Sequence, residues 1–285
     1  MATAASIHNA KMPSDITLER DVVYCVRDRI SLKLDIYRSK NTPAKLPFPV
    51  LFIHGGAWRV GRKDQPNPTL WAITQAGFVS IAISYRMSQE AIFPAQIADC
   101  KEAIRWIRAH AVELNIDAEK IGVWGMSAGG HLAALLGTSG GVNELNGTEI
   151  QVAGSSRVQA VVDLYGATDL IKLMQQRRAT PYGRADLMGD RAPENQLIGG
   201  DVLQNQLLAQ TASPMAYVTP DDPPFLIIQG DKDEVVPKEQ SQMLFDALKA
   251  EGVPAQLKII KGMKHELPGP AITEMIVDFF KAELR

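Results

Sequence analysis

The chain has 285 residues, of which 46% are hydrophobic and 22% are charged, and its formal net charge is −2 at pH 7. This length is enough to bury a sizeable core, and the composition is that of an ordinary globular protein. The nearly balanced charge provides no strong field for nucleic acid or an anionic membrane, so we expect neither as a partner. The composition leaves the oligomeric state open.

The first twenty residues lack the basic segment and apolar core of a signal peptide. No apolar run approaches the roughly 18 residues of a transmembrane helix. We therefore expect a cytoplasmic protein, although a secreted mature form whose leader has been removed would have the same features. Cys25 and Cys100 lie far apart and form no ligand cluster, which predicts two buried free thiols.

Eight short β-rich segments alternate with helical patterns along the chain. The segments are 21–26, 31–37, 49–56, 78–86, 121–127, 158–166, 225–231 and 255–262. The first two alternate apolar and polar residues, which is typical of half-exposed antiparallel strands, and the later ones are more continuously apolar. The pattern predicts an α/β fold in one domain, residues 1–285, with a mostly parallel, eight-stranded, doubly wound sheet.

Apolar residues at three- and four-residue steps predict helices over 93–115, 238–252 and 270–285. Residues 167–220 contain no convincing strand and lie between the sixth and seventh β segments. An insertion at this point emerges at the carboxyl ends of the strands, where ligands bind in doubly wound sheets. We predict a small cap over the site, with Arg177 among the charged residues on its outer face. A peripheral helical decoration is the alternative.

The stretch Gly125-Met126-Ser127-Ala128-Gly129 follows the fifth β segment and precedes an Ala/Leu-rich helical segment. It fits the pattern G-x-S-x-G, in which a serine lies on a sharp strand-to-helix turn and neighbouring side chains would collide. The amino-terminal end of the following helix favours developing negative charge. The pattern predicts that Ser127 is a nucleophile.

A serine hydroxyl needs a base, and the base needs an acid that orients it. His265 lies in a loop after the last β segment and is the base that the order serine–acid–histidine predicts. We expect His131 to point away from the strand ends, His110 to be on the surface and His54 to bond loop carbonyls. In the loop after the seventh segment Asp233 is the favoured acid; Asp231 and, after the sixth segment, Asp169 are alternatives.

Acyl transfer also needs donors for an oxyanion. Adjacent glycines in the stretch HGGAW, residues 54–58, let backbone amides approach a substrate oxygen after the third β segment. The amide of Ala128 would complete such an oxyanion hole.

The chain resembles the α/β-hydrolase superfamily along essentially its whole length, and six stretches resemble more narrowly an esterase branch that includes acetyl and feruloyl esterases. They are HGGAW (54–58), SYRMS (84–88), FPAQIADCKEAIRWIR (93–108), GVWGMSAGGHLAALLG (122–137), DPPFLIIQGDKDEVVP (222–237) and GMKH (262–265). This branch is related to the hormone-sensitive-lipase and kynurenine formamidase lines. The resemblance implies a serine carboxylesterase without metal or organic cofactor, which acts on small to medium soluble esters through Ser127, Asp233 and His265.

The stretch departs from the HGGG pattern of the hormone-sensitive-lipase line, because Ala57 and then Trp58 follow Gly56. The resemblance therefore implies an oxyanion hole of Gly56, Ala57 and Ala128. Four residues are expected to contact the substrate: Gly55, Trp58, Met126 and Tyr165.

Two other functions stay open at this point. The HGG-x-W form also suits an arylformamidase or another amide hydrolase with the same triad. A non-catalytic binding protein with this fold is a more distant alternative, since such proteins tend to lose a triad member and this chain has all three candidates.

Overall fold

The computed structural model describes residues 10–41, 46–147, 149–179, 187 and 189–285. The strands are β1 (Ile16–Arg27), β2 (Ile30–Ser39), β3 (Pro49–Ile53), β4 (Val79–Ile83), β5 (Gly122–Met126), β6 (Ala160–Leu164), β7 (Phe225–Gly230) and β8 (Ala255–Ile260). They form one sheet in the order β1-β2-β4-β3-β5-β6-β7-β8. β2 pairs antiparallel with β1 and β4, and the remaining neighbours pair parallel. The predicted eight-stranded, mostly parallel sheet is confirmed.

The α-helices within the described ranges are α1 (Pro68–Gln75), α2 (Ala95–Ala109), α3 (Ala128–Thr138), α4 (Leu170–Ala179), α5 (Pro193–Ile198), α6 (Gln206–Thr211), α7 (Lys238–Ala250) and α8 (Pro270–Leu284). The three helices predicted from periodicity are confirmed as α2, α7 and α8. Helix α1 was not predicted, because it has only eight residues and follows a loop rich in proline and asparagine. Its start is nevertheless marked in the sequence: the Asn67 side chain accepts a hydrogen bond from the Leu70 N–H at 3.1 Å.

Two hydrophobic cores cover the faces of the sheet. Alternate residues of β3 enter different cores: Leu51 and Ile53 pack on the side of α2 and α3, whereas Val50 and Phe52 pack on the side of α1 and α8. Every residue of β3 is buried, which explains its continuously apolar sequence. Each such side chain contributes about 1.5–3 kcal/mol through burial. Cys25 and Cys100 are buried and free, as predicted.

The segment between β6 and β7 contains helices α4, α5 and α6 and packs on the core beside α2 and α3. Leu170, Leu173 and Leu197 are fully buried there. Arg177 was expected on a charged outer face, but it is only 3% exposed and forms a 2.9 Å ion pair with the buried Glu194. An arginine can bury its stem and keep a paired head group, so charge alone did not predict its exposure.

The parallel strands place several chain turns at one edge of the sheet. The carboxyl ends of β3, β5, β6, β7 and β8 all lie at this edge. Doubly wound sheets bind ligands at this position, and the predicted site residues follow these strands. In the described part of the chain no helix is long and apolar enough to cross a membrane.

Candidate active site

Ser127 lies on a sharp turn between β5 and α3. Its backbone has φ 55° and ψ −120°, in a region that residues other than glycine rarely adopt. A Cβ atom on Gly129 would lie 2.0 Å from the Ile53 carbonyl oxygen, and one on Gly125 would lie 2.1 Å from the Gly129 oxygen. Both positions therefore require glycine, for the steric reason that the sequence pattern predicts.

The structure brings the three predicted triad residues together. The Ser127 Oγ lies 2.8 Å from Nε2 of His265, and Nδ1 of His265 lies 2.7 Å from Oδ2 of Asp233. The Asp233 side chain is fully buried, and that of His265 is 20% exposed. The chain of hydrogen bonds thus runs from a buried carboxylate to a hydroxyl at the edge of a cavity.

Four donors face the carboxylate of Asp233. Its Oδ1 accepts the backbone N–H groups of Val235 and Val236 at 2.8 and 2.9 Å. Its Oδ2 accepts Gln229 Nε2 at 3.1 Å in addition to His265. Such bonds fix the position of the carboxylate. The Gln229 amide is itself oriented by the Ser241 hydroxyl, which donates to its oxygen at 2.9 Å.

The two alternative acids have other partners. Asp231 accepts the Gly262 N–H at 2.6 Å, and Asp169 accepts the Lys172 N–H at 2.8 Å. Asp231 thus satisfies a backbone amide in the loop after β8, and Asp169 satisfies one in the first turn of α4. The geometry therefore favours Asp233 among the three carboxylates.

The other histidines that were weighed as bases are engaged elsewhere. His54 is buried, and its Nδ1 lies 2.8 Å from the Gly55 carbonyl, in agreement with the predicted contact to a loop carbonyl. Burial lowers the pKa of His54. His131 is fully buried in α3, away from the cavity. His110 is half-buried and stacks on Trp106.

The turn after β3 contains two of the amides that were predicted to bind an oxyanion. Gly56 and Ala57 have φ of 119° and 55°, and the carbonyl of Gly56 accepts the N–H groups of Arg59 and Val60, both at 3.0 Å. Among the residues that the structure describes, the amides of Gly56, Ala57 and Ala128 donate to no backbone carbonyl. They are the three donors predicted for the oxyanion.

A cavity of about 780 Å³ opens at Ser127 and His265. Three of the predicted substrate contacts, Gly55, Met126 and Tyr165, line it. Trp58 does not: it is 3% exposed, and its indole donates to Nδ1 of His131 at 3.1 Å. The predicted contact between Trp58 and the substrate is therefore corrected. Ala57 and Trp58 have positive φ, and this left-handed backbone conformation directs the Trp58 ring into the core.

Sequence reasoning missed most of the cavity wall. Residues 65–69, before and within the first turn of α1, line one part, and residues 266–268, after His265, line another. None of the residues described between 167 and 220 lines the cavity. Residues 180–186 and 188 lie outside the described residues, so the predicted cap over the site stays a prediction.

A buried carboxyl group next to the serine turn was also missed. Asp163 of β6 is fully buried; its Oδ1 accepts the Gly166 N–H at 2.8 Å, and a Cβ atom on Gly130 would lie 2.5 Å from that oxygen. Burial raises the pKa of Asp163 to about 7. An aspartate inside an otherwise apolar strand, VVDLY, was the available signal.

Within the ranges given above for the structure, no three His, Cys, Asp or Glu side chains are grouped so that they could hold a metal ion. That the chemistry needs no metal or organic cofactor stays a prediction.

The sheet, the serine turn and the hydrogen-bonded residues Ser127, His265 and Asp233 define the α/β-hydrolase class. The comparisons with solved structures agree with this class. A truncated form of a carbohydrate esterase from gut microbiota superposes with a TM-score of 0.84 at 32% identity, covering 94% of this chain and 96% of that one. The butyrate-bound esterase Est2 of Thermogutta terrifontis superposes with a TM-score of 0.74 at 27% identity, covering 95% of each.

Sequence comparison gives the family. Residues 34–248 match the BD-FAE family model, and the chain belongs to that family. Esterase LipC of Mycobacterium tuberculosis is 36% identical over 219 residues, which are 76% of this chain and 52% of LipC. The chain spans about half the length of the curated relatives that it matches first.

Proposed function

We propose that the protein hydrolyses carboxylic esters, with Ser127 as nucleophile, His265 as general base and acid, and Asp233 as the acid that orients His265. The observation that carries this proposal is the unbroken path from Asp233 Oδ2 through His265 to Ser127 Oγ, with steps of 2.7 and 2.8 Å. Nucleophile and base within hydrogen-bond reach, with the base oriented by a third group, is the arrangement that activates a serine.

In the acylation step the Ser127 oxygen attacks the carbonyl carbon of the ester while Nε2 of His265 takes the hydroxyl proton. The carbonyl oxygen becomes an oxyanion and accepts hydrogen bonds from the amides of Gly56, Ala57 and Ala128. Asp233 stabilises the imidazolium that forms. When the tetrahedral intermediate collapses, the bond to the alcohol oxygen breaks and His265 returns the proton to the leaving alcohol.

In the deacylation step water replaces the alcohol. His265 takes a proton from the water, whose oxygen attacks the acyl carbon, and the same amides hold the second oxyanion. Collapse breaks the bond to Ser127, and the proton passes back to its Oγ. The products are a carboxylic acid, an alcohol and the unchanged enzyme.

The substrates that we propose are small to medium soluble carboxylic esters with short acyl groups, of the acetyl or feruloyl type. A cavity of about 780 Å³ accommodates a ligand larger than a minimal ester, so the alcohol portion also fits within it. Support comes from the structural relatives, one named a carbohydrate esterase and the other bound to butyrate, a four-carbon acid.

The test is a panel of acetyl, butyryl, octanoyl and feruloyl esters together with N-formylkynurenine, with Ser127→Ala as the blank. We expect kcat/KM to be highest for an ester and the signal to disappear in the blank. Faster turnover of N-formylkynurenine would assign the site to an arylformamidase. No turnover of any compound by the folded wild-type protein would overturn the proposal.

A further inference from the structure

Two consecutive residues in the turn after β3, Ala57 and Trp58, have strained backbones. Ala57 and Trp58 have φ of 55° and 56°, and residues other than glycine keep such a conformation only where the surrounding structure enforces it. The Trp58 carbonyl accepts the Ser88 N–H at 2.8 Å, and its ring is buried. The contacts of the ring are therefore part of what holds the Ala57 amide in place.

The main polar contact of that ring is His131. The indole N–H of Trp58 donates to Nδ1 of His131 at 3.1 Å, and the two rings are perpendicular at 89°. Nε2 of His131 lies 2.7 Å from the Ala212 carbonyl. An indole N–H only donates and a carbonyl only accepts, so Nδ1 is the acceptor and Nε2 carries the hydrogen. Burial lowers the pKa of His131 to about 4, which keeps this neutral tautomer at neutral pH.

His131 is rigidly connected to the serine turn. It lies in the first turns of α3, and its backbone N–H donates to the Ser127 carbonyl at 2.9 Å. Trp58 directly follows Ala57 in the chain. The side-chain bond therefore links the segment that provides the Ala57 amide to the helix that provides the Ala128 amide.

We propose that Trp58 and His131 form a positioning pair, which sets the spacing between the Ala57 and Ala128 amides of the oxyanion hole. The inference rests on the proposed function, because it matters only if these amides bind an oxyanion. Neither side chain touches the substrate. Their effect is to hold donors from two separate elements within the tolerance of about 0.5 Å that a preorganised site requires.

The test compares kcat, KM and unfolding for His131→Leu, His131→Gln and Trp58→Phe. Loss of an oxyanion donor costs about 10²–10³ in kcat, so a displaced donor should cost about 10-fold to 100-fold in Trp58→Phe and His131→Leu. KM should change by less than about threefold, because ground-state binding does not use the oxyanion. Gln offers an acceptor and a donor and should recover much of kcat. The shape of the pH–rate profile should not change, since His265 is untouched.

A double-mutant cycle separates positioning from general stability. If the two side chains act through one bond, adding Trp58→Phe to His131→Leu should lower kcat by less than about twofold. The control is a second Trp–His pair, Trp106 and His110, whose rings stack with centroids 4.1 Å apart on α2. Trp106→Phe and His110→Leu should lower stability without changing kcat of the folded protein.

The outcomes distinguish this inference from the proposed function. If wild type hydrolyses esters and Ser127→Ala does not, but kcat of folded Trp58→Phe and His131→Leu is unchanged, the positioning role is wrong and the esterase proposal stands. Multiplicative losses in the double mutant also overturn it. If wild type itself hydrolyses no ester, the proposed function fails first. Should His131→Leu not fold, Trp58→Phe decides the matter: a loss of about 10-fold to 100-fold in kcat supports the positioning role, and an unchanged kcat overturns it.

Discussion

The Asp231 carboxylate accepts a hydrogen bond of 2.6 Å from the backbone N–H of Gly262. This bond joins the loop after β7 to the loop after β8, three residues before His265. Asp233, in the same loop as Asp231, contacts His265 directly. The two aspartates thus have different roles: Asp231 connects the two loops, and Asp233 orients the imidazole of His265.

The different partners predict different costs for the same substitution. Asp233→Asn should lower kcat by about 10⁴-fold, because an amide does not stabilise the imidazolium and favours the wrong histidine tautomer. Asp231→Asn keeps an oxygen that accepts the Gly262 N–H, so kcat should fall by less than about tenfold. Steady-state kinetics of both variants, with circular dichroism to verify folding, is the measurement. A reversed ranking would move the catalytic acid to Asp231.

The sheet and the triad could be predicted because they depend on local signals. Apolar runs indicate the eight strands, and the serine turn requires its glycines because a Cβ atom on Gly129 would lie 2.0 Å from the Ile53 carbonyl oxygen. The position of Trp58 could not be predicted. It depends on positive φ at Ala57 and Trp58, which residues other than glycine rarely adopt and which no sequence pattern indicated.

The residues of the cavity wall could not be predicted for a different reason. Residues 65–69 and 266–268 come together only through the packing of α1 and α8, in which Thr69 and Thr273 contribute hydroxyl groups 2.7 Å apart. A contact between positions so far apart in sequence has no local signature. The signals that were present, Asn67 and Pro68, mark a helix start and carry no information about what that helix faces.

Ser127→Ala should abolish turnover and leave the fold intact. The hydroxyl is needed for chemistry, and losses of about 10⁴–10⁶ in kcat are typical of triad serines. The matched control is Ser139→Ala at the end of the same helix, where the hydroxyl bonds to the Leu135 carbonyl. The control should lose some stability and keep its activity. A folded Ser127→Ala protein with a tenth of wild-type activity would refute the nucleophile assignment.

Asp163 predicts a pH-dependent loss of stability. Burial raises its pKa from 3.8 to about 7, so the folded protein retains a proton that the unfolded chain has already lost at pH 5 to 7. The contribution of Asp163 to the free energy of unfolding is therefore fully present below about pH 4 and is lost as the pH rises through 7. The difference between the two pKa values sets an upper bound of about 4 kcal/mol.

Asp163→Asn tests this directly, because the amide keeps an acceptor for the Gly166 N–H and does not ionise. We expect the variant to gain stability over wild type as the pH rises from 4 to 8, in urea unfolding followed by circular dichroism. Asp278→Asn, at an exposed position of α8, should follow the wild-type pH dependence. Parallel curves for wild type and Asp163→Asn would contradict the prediction.

The aromatic ring of Tyr165 should hold His265 in position, and the Tyr165 hydroxyl should not contribute to this effect. The two ring centroids are 4.6 Å apart at 61°, an edge-to-face contact of about 0.5–1.5 kcal/mol. Tyr165→Phe keeps this contact, so its kcat/KM should stay within about threefold of wild type. Tyr165→Leu removes the contact and should lower kcat by about tenfold. Equal losses in both variants would instead assign a role to the phenol oxygen.

The rim of the cavity predicts the preferred acyl length. Val60 and Leu267 line the mouth and are 66% and 38% exposed, with Arg59 and Glu266 beside them in sequence and also lining it. Two apolar side chains among charged ones form no broad surface for docking at a lipid interface. Each buried methylene of an acyl chain contributes about 0.8 kcal/mol, and this gain ends where the chain leaves the cavity.

We therefore expect kcat/KM to peak at acyl groups of about two to six carbons and to fall for longer ones, which leave methylenes in water. Emulsified long-chain triglyceride should react slowly, with no increase in rate at its solubility limit. Val60→Ser and Leu267→Ser should lower kcat/KM for hexanoyl esters more than for acetyl esters. Leu207→Ser, at an exposed apolar position that does not line the cavity, should change neither. If kcat/KM instead rises up to acyl groups of about twelve carbons and the rate increases at a lipid interface, the protein is a lipase. Only an apolar entrance far wider than this rim could produce these two results.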